Sequence, residues 1–134
     1  NNFIIDFATL TGAARVALGT ELPALFTNDN NLGKMIINEG INQIDPMWEL
    51  PLFTPYERFL ENKYDALSST GTAGTGGAIT AALFLKKFVN VGTNWAHIDL
   101  MAWNTSGRPG FPAGGEAMGL RNIVNMIVKY CNQK

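Results

Sequence analysis

Few residues of this chain combine a reactive side chain with a setting that favours chemistry. His97 is the only histidine, so any serine–histidine–aspartate arrangement would have to include it. It lies in the apolar run NWAHIDL, and no GxSxG elbow supplies an activated serine, so a core histidine held by hydrogen bonds is the commoner interpretation. Asp6 and Asp99 also sit in apolar runs and need partners there. They could be ligands or acid–base groups, although pairing with helix amides or with an arginine is commoner. The available arginines are Arg15, Arg108 and Arg121.

A glycine-rich segment, residues 68–77, precedes an apolar helix and could in principle bind an anion through its backbone amides. The fingerprints of nucleotide loops, GxxxxGK and GxGxxG, are missing, and no lysine starts the helix. The segment therefore favours a flexible or closely packed loop, and a nucleotide-binding domain is the weakest of three hypotheses. No His, Cys, Asp or Glu cluster has the short spacing of metal ligands.

Composition excludes several classes of protein. The 134 residues fit one domain, and with 46% hydrophobic and 16% charged residues the chain is neither disordered nor a coiled coil. A net charge of −1 without a Lys/Arg cluster argues against nucleic acid and anionic membranes as partners. No apolar run is long enough to span a membrane. A single cysteine, Cys131, fits a reducing compartment, and we expect a cytoplasmic protein.

The stretch of residues 3–18 is the element around which the rest of the chain is organised. Residues 3–8 form an apolar, β-branched and aromatic run that predicts a strand covered on both faces. Residues 9–12 break the run, and residues 13–18 predict a short helix with Thr11 as its N-cap. A loop after a strand presents its amides at the sheet edge where α/β proteins bind ligands, although a plain connection is commoner.

The remaining pattern alternates strands and helices, which predicts an α/β fold with a mixed, largely parallel sheet flanked by helices. Strands are expected at residues 24–27, 65–67 and 94–100. Helices are expected at residues 32–39, 56–62, 78–89 and 115–134. Gly40 is predicted to stop the first of these helices. The last helix is predicted to carry one apolar stripe, formed by Leu120, Ile123, Val124, Ile127 and Val128.

Four segments in this order, DFATLTGAARVALG, PMWELPL, GGAITAALFLKKF and WAHIDL, resemble the leucyl (cytosol) aminopeptidase family of dinuclear-metal peptidases. The segment AWNTSGRPGFPAGGEAMGLRNIV is similar to a bacterial branch of it. The resemblance covers essentially the whole chain. It implies that residues 1–134 are the C-terminal portion of the catalytic domain, a truncated part of a larger peptidase without the upstream metal-binding portion and the N-terminal domain. A core-type strand that begins at residue 3 agrees with this expectation.

The resemblance also implies a metal centre that this chain lacks. In the family, a lysine, three aspartates and a glutamate hold two divalent ions, Mn or Zn, that turn a bridging water into hydroxide. Two of those carboxylates belong to an NTDAEGR-type motif just upstream of the ATLTGA segment, and it is missing here. We therefore expect no catalytic residue and no metal ligand in this chain, no metal bound by it, and no activity when it is alone.

What carries over from the family is a substrate-binding wall. By the match, the main chain at Leu10 and Gly12 would hold the peptide backbone, and other residues would line the pocket for the first side chain. The substrate-binding residues that the resemblance implies are Thr9, Leu10, Thr11, Gly12, Met101 and Asn104. The family has small residues after the WAHIDL strand, and MAWN departs from that pattern.

Two functions from different classes follow from the resemblance. The first is part of a metal-dependent aminopeptidase that removes N-terminal amino acids from peptides, with peptide substrates and a homo-oligomeric, hexameric assembly of the full-length protein. The alternative is a non-catalytic binding or assembly domain of the same fold. An upstream lysine and NTDAEGR-type motif would support the enzyme, and their absence would support the binding domain.

Overall fold

A mixed sheet of four strands organises the structure, a computed structural model that describes residues 3–61 and 74–132. The strands of this sheet are β1 (Phe3–Ala8), β2 (Ala24–Thr27), β3 (Trp48–Glu49) and β4 (Asn94–Asp99). The helices are α1 (Gly12–Leu18), α2 (Asn30–Asn42), α3 (Gly77–Lys86) and α4 (Leu120–Asn132), with a 3₁₀ helix at Thr54–Phe59. A separate two-stranded ribbon pairs β5 (Trp103–Asn104) with β6 (Gly114–Gly115).

The strand order is β1-β4-β2-β3. β1 is parallel to β4, β3 is parallel to β2, and β2 is antiparallel to β4. The predicted α/β class, with a mixed and largely parallel sheet flanked by helices, is thereby confirmed. The register aligns Asp6 with His97 and Ala8 with Asp99, so that β1 and β4 end side by side.

The prediction that β1 is covered on both faces is wrong for the described part of the chain. β1 pairs only with β4 and stands at one edge of the sheet. Ile4 is 49% and Phe7 44% exposed, one on each face of the strand. A continuous apolar run is typical of a buried strand but does not by itself specify which neighbours cover it.

Each face of the sheet packs against its own pair of helices. Alternation along β2 sends Leu25 into a cluster with residues of α2 and α4, whereas Ala24 and Phe26 join residues of α1 and α3. Leu25 and Phe26 are both fully buried. Burying one such side chain stabilises a fold by roughly 1.5–3 kcal/mol. The two clusters therefore fix both helical layers to the sheet.

Local signals explain where α1 and α2 begin. The Thr11 hydroxyl accepts a hydrogen bond from the Ala14 N–H (3.0 Å), which confirms Thr11 as the N-cap of α1. Asp29 caps α2 in the same manner. The predicted stop at Gly40 is wrong, because α2 continues to Asn42. A Cβ at Gly40 would lie 2.9 Å from the Asp45 carbonyl oxygen, so this glycine permits close packing inside the helix.

The predicted apolar stripe of α4 is only partly buried. Ile123 is buried, but Leu120, Val124 and Val128 are about half exposed (56, 50 and 51%), as Ile127 is to a lesser extent. The start of α4 is held by the buried Asp45, whose carboxylate accepts hydrogen bonds from the N–H groups of residues 119 and 122. Tertiary contacts to α2 thus decide which side of α4 faces inward.

An ion pair joins α2 to α4 near the end of the chain. Lys129 Nζ lies 2.5 Å from the Glu39 carboxylate and donates a hydrogen bond to it. This contact, with a further hydrogen bond from Gln43, holds the pKa of Glu39 below its ordinary value.

The connections differ from prediction in length and type. The helix expected at residues 56–62 is the shorter 3₁₀ helix, and the long loop after β4 contains the ribbon of β5 and β6. The strand expected at residues 65–67 lies outside the described residues. Among the helices of the described ranges, none combines the length and apolarity that a membrane span requires.

Candidate functional site

Asp99 holds the four residues that follow β1, here called the 9–12 loop (Thr9, Leu10, Thr11 and Gly12). Its Oδ1 accepts hydrogen bonds from the N–H groups of Leu10 (3.1 Å) and Thr11 (3.2 Å), and its Oδ2 accepts one from the Thr11 hydroxyl (2.6 Å). Asp99 is only 2% exposed. The contact exists because β1 and β4 are parallel and end at the same edge of the sheet. The expectation that Asp99 needs a partner in its apolar strand is therefore confirmed, and its partners are loop amides.

Thr11 connects this carboxylate to helix α1. Its hydroxyl donates to Asp99 and accepts from the Ala14 N–H, so one oxygen joins β4, the loop and the helix. A hydroxyl can do both because it carries one donor and two acceptor lone pairs. The conformation of the 9–12 loop is thus fixed from both sides.

A cavity of about 320 Å³ opens against the 9–12 loop. Its lining residues are Thr9, Leu10, Thr11, Gly12, Arg15, Leu100 and Met101. We call this space the loop cavity. It brings together five of the six residues that the sequence singled out for substrate binding, from elements 88 or more residues apart in the chain. Leu100 and Met101 reach the cavity because they are the first two residues after β4, as the loop is the first segment after β1.

Asn104, the sixth predicted residue, does not line the loop cavity. It is buried in the ribbon of β5 and β6, where its amide donates to the carbonyls of Phe111 and Pro112 (both 3.1 Å). Its Oδ1 accepts a hydrogen bond from Arg108. Through these contacts, Asn104 stabilises the ribbon segment after β4 in the described structure.

Arg15 is a cavity residue that the sequence analysis did not assign to the site. Its Nη1 donates to the Met101 sulfur (3.1 Å), and its Nη2 lies 3.5 Å from the position that a Cβ on Gly12 would occupy. Among the described residues, no carboxylate forms an ion pair with it. The pairing with Asp6 or Asp99 that the sequence allowed is not formed. Arg15 follows Gly12 by three positions, so both residues lie on the same face of α1. That spacing is the sequence signal that indicates a place for Arg15 beside the 9–12 loop.

Arg108 and Arg121, the other two arginines that the sequence offered as partners for the buried acids, are engaged elsewhere. Arg108 forms a two-pronged ion pair with Glu116 (2.8 and 3.1 Å), and Arg121 donates to the Ile44 carbonyl. Both border a larger cavity of about 480 Å³ at the start of α4. Arg108 is thus paired with an acid in this larger space, whereas Arg121 has only the Ile44 carbonyl as a partner among the described residues.

The buried His97 pairs with the partly exposed Asp6 on the face of the sheet toward α1 and α3. His97 Nδ1 lies 2.6 Å from Asp6 Oδ1, and the Trp95 indole N–H donates to Asp6 Oδ2 (2.6 Å). His97 is fully buried, with its ring stacked beside those of Phe26 and Trp95. Its Nε2 has no hydrogen-bond partner in the described residues. The predicted core histidine is thus held through one nitrogen, and no serine hydroxyl is paired with it there.

The described residues do not fit a dinuclear metal centre. No group of three or more His, Cys, Asp or Glu side chains in residues 3–61 and 74–132 could hold a metal ion. Asp6 and Asp99 direct their oxygens at protein donors instead. Of the glycine-rich segment that might have bound an anion, residues 68–73 lie outside the described structure, and α3 begins at Gly77.

Comparison with known proteins identifies the family. The model of the cytosol aminopeptidase family, catalytic domain, matches residues 1–124. This chain belongs to the cytosol aminopeptidase family. Probable cytosol aminopeptidases of Synechococcus sp. (strain WH7803) and Phytoplasma mali (strain AT) are each 40% identical to it over 96 and 98% of the chain. In both cases the chain spans only 26% of the relative's length.

Solved structures of this peptidase family share the fold. The crystal structure of cytosol aminopeptidase from Coxiella burnetii is 48% identical, with a TM-score of 0.90 over 95% of this chain and 28% of that one. The bottromycin maturation enzyme BotP in complex with Mn is 33% identical, with a TM-score of 0.84 over 96% of this chain and 29% of that one. The chain therefore corresponds to about a quarter of the proteins it matches.

Proposed function

We propose that this chain forms the substrate-binding wall of a metal-dependent aminopeptidase, an enzyme that removes N-terminal amino acids from peptides. One observation carries the proposal: the 9–12 loop, held in place by the buried Asp99, forms one wall of a cavity of about 320 Å³. Family membership supports the reaction class, and the cavity supports the proposed location of peptide binding.

The role of the loop in this proposal is to orient the peptide before reaction. Residues with main-chain groups on a cavity wall can hydrogen-bond an extended peptide without regard to its side chains. The contacts of Asp99 and Thr11 fix the backbone of the 9–12 loop before the peptide binds. Little conformational entropy of the loop is therefore lost on binding. Thr9, Gly12 and Met101 would then border the first side chain of the peptide, with Asn104 holding the segment that follows Met101.

The metal chemistry in this proposal comes from outside the described residues. Two divalent ions, Mn or Zn, would supply the hydroxide that attacks the N-terminal peptide bond. The Mn complex of BotP supports metal dependence among the related proteins. In this proposal, the described residues contribute binding and orientation, and the metal ligands lie elsewhere in the full-length protein.

A non-catalytic binding or assembly domain is the second candidate. The lack of a metal site in the described ranges favours it, because such a domain would need the fold and the cavity but no metal. The two functions differ in one requirement: the enzyme needs metal ligands elsewhere in the full-length protein, and the binding domain does not.

The experiment that separates them compares the full-length protein with the 134-residue chain. We expect the full-length protein to release the N-terminal residue of an aminoacyl amide with Mn²⁺ or Zn²⁺ present. The chain alone is expected to show no turnover and no micromolar binding of two ions by calorimetry, since ligation needs several converging anionic oxygens. Turnover or tight two-ion binding by the chain alone would contradict this division of roles. A full-length protein without turnover would favour the binding domain.

Peptide substrates, homo-oligomeric and hexameric assembly, and a cytoplasmic location are part of the same proposal. Assembly is supported by the outer side of α4, where Leu120, Val124 and Val128 are each at least half exposed. Sedimentation velocity measures the oligomeric state of the full-length protein. A monomer at micromolar concentration would contradict the proposed assembly.

A further inference from the structure

The described residues give the loop cavity a positive electrostatic character. Among the described residues that line it, Arg15 alone carries a charge. The other lining residues are apolar or uncharged, including Leu100 and Met101. A guanidinium is always protonated at physiological pH, so this cavity presents a permanent positive charge to whatever enters it.

The position of the guanidinium puts that charge where a peptide would lie. One terminal nitrogen is 3.1 Å from the Met101 sulfur, and the other lies 3.5 Å from the Cβ position of Gly12. Arg15 therefore spans the space between two residues that the proposed function assigns to the wall around the first side chain. A thioether is a weak acceptor and leaves most of the five guanidinium N–H donors free.

No acid of residues 3–61 and 74–132 neutralises Arg15. None of the ion pairs in the described structure includes it. Asp99, the acid that holds the loop, is 2% exposed and already accepts three hydrogen bonds. Arginine binds carboxylates well because its planar fork matches their two oxygens. A bound peptide with a carboxylate near Arg15 would thus gain an ion pair that a peptide with a neutral group there cannot form.

We propose that Arg15 makes this site selective for peptides that carry a carboxylate close to the bond that is cut. The inference rests on the proposed aminopeptidase function and names its substrate class. The carboxylate has three possible sources: an Asp or Glu side chain at the first residue, the same side chain at the second residue, or the free C-terminus of a dipeptide.

Kinetics of the full-length enzyme test the proposal with matched substrates. The three pairs compare Glu with Gln at the first position, Glu with Gln at the second, and a dipeptide with its C-terminal amide. We expect kcat/KM to favour the acidic member of at least one pair. We expect Arg15→Met to reduce that preference about five- to tenfold, since a tenfold change corresponds to about 1.4 kcal/mol, near the range of a charge-assisted hydrogen bond. The pair that responds identifies the source of the carboxylate.

Two further variants serve as controls. Arg15→Lys keeps the charge without the fork and is expected to retain part of the preference. Lys34→Met removes one positive charge from the exposed side of α2, across the sheet from α1, and is expected to change nothing. Rising salt should weaken the preference in the wild type, because an ion pair at an exposed arginine is screened.

A binding measurement on the 134-residue chain adds a readout that does not need turnover. Titration with Ala-Glu, compared with Ala-Gln, is expected to shift the NMR signals of the Arg15 Nε–H and the Gly12 amide more strongly. Equal substrate preferences in the wild type and Arg15→Met, with neutral substrates still turned over, would overturn this proposal and leave the proposed function intact. Failure of the full-length protein to turn over any substrate would overturn both.

Discussion

Replacement of Asp99 by alanine is expected to destabilise the fold by about 2–4 kcal/mol, because it leaves three partly buried donors without an acceptor. Those donors are the N–H groups of Leu10 and Thr11 and the Thr11 hydroxyl. Asp99 itself is 2% exposed, so water cannot readily replace its oxygens. The loss should also loosen the 9–12 loop, with kcat/KM of the full-length enzyme reduced at least a hundredfold if the loop orients the peptide.

Asp99→Asn is the matched control for this prediction. Its Oδ1 can still accept from Leu10 and Thr11, but its amide nitrogen cannot accept the hydrogen bond of the Thr11 hydroxyl. We expect about half the destabilisation of the alanine variant, measured by urea unfolding, and faster hydrogen exchange at the Thr11 amide. An alanine variant as stable as the wild type within about 0.5 kcal/mol would show that the carboxylate does not hold the loop.

Replacement of Gly12 by alanine is expected to reduce kcat/KM of the full-length enzyme at least tenfold while the fold survives. Gly12 is the first residue of α1, and a Cβ built there meets only Arg15 Nη2, at an ordinary contact distance of 3.5 Å. Its backbone does not adopt the left-handed conformation that requires glycine. The added methyl group therefore has room within the protein but projects into the space proposed for the peptide.

The result for Gly12 is interpreted against a second glycine. Gly115 in β6 also has a backbone that does not need glycine, and nothing lies within 4 Å of its Cβ position. Gly115→Ala should leave kcat/KM unchanged, and both variants should keep the thermal midpoint of the wild type within a few degrees. Unchanged kinetics in Gly12→Ala would remove the loop from the binding site and make it a plain connection.

The parts of the site that the sequence could predict depend on local rules. A strand that breaks at small residues before a helix indicates a βα loop. Threonine is a residue type that caps helices, so the sequence predicts both the loop and the cap at Thr11. The need of Asp99 for partners also follows from a charge in an apolar run. These rules use only neighbouring residues, and the structure confirms them.

The parts that could not be predicted depend on contacts between distant segments. Gly40 was expected to end α2, but its role is set by Asp45 and Asn122, which pack against it. The apolar stripe of α4 follows from the sequence, but apolar spacing does not show which of its residues a neighbouring helix covers. Arg15 was considered only as a partner for buried acids, since nothing in the sequence indicates that Met101 lies beside it.

The pairing of β1 with β4 has a consequence for how the chain can misfold. Asp99 reaches the 9–12 loop only in the register that sets Ala8 opposite Asp99 and Asp6 opposite His97. A slip of one residue would turn every side chain of β1 to the other face of the sheet. Such a slip would separate Asp6 from His97 and the loop amides from Asp99 together, leaving two buried polar groups unpaired in the same event. The loss of these contacts raises the free energy of any structure in which β1 is shifted by one residue. A chain in the wrong register therefore cannot form the loop cavity.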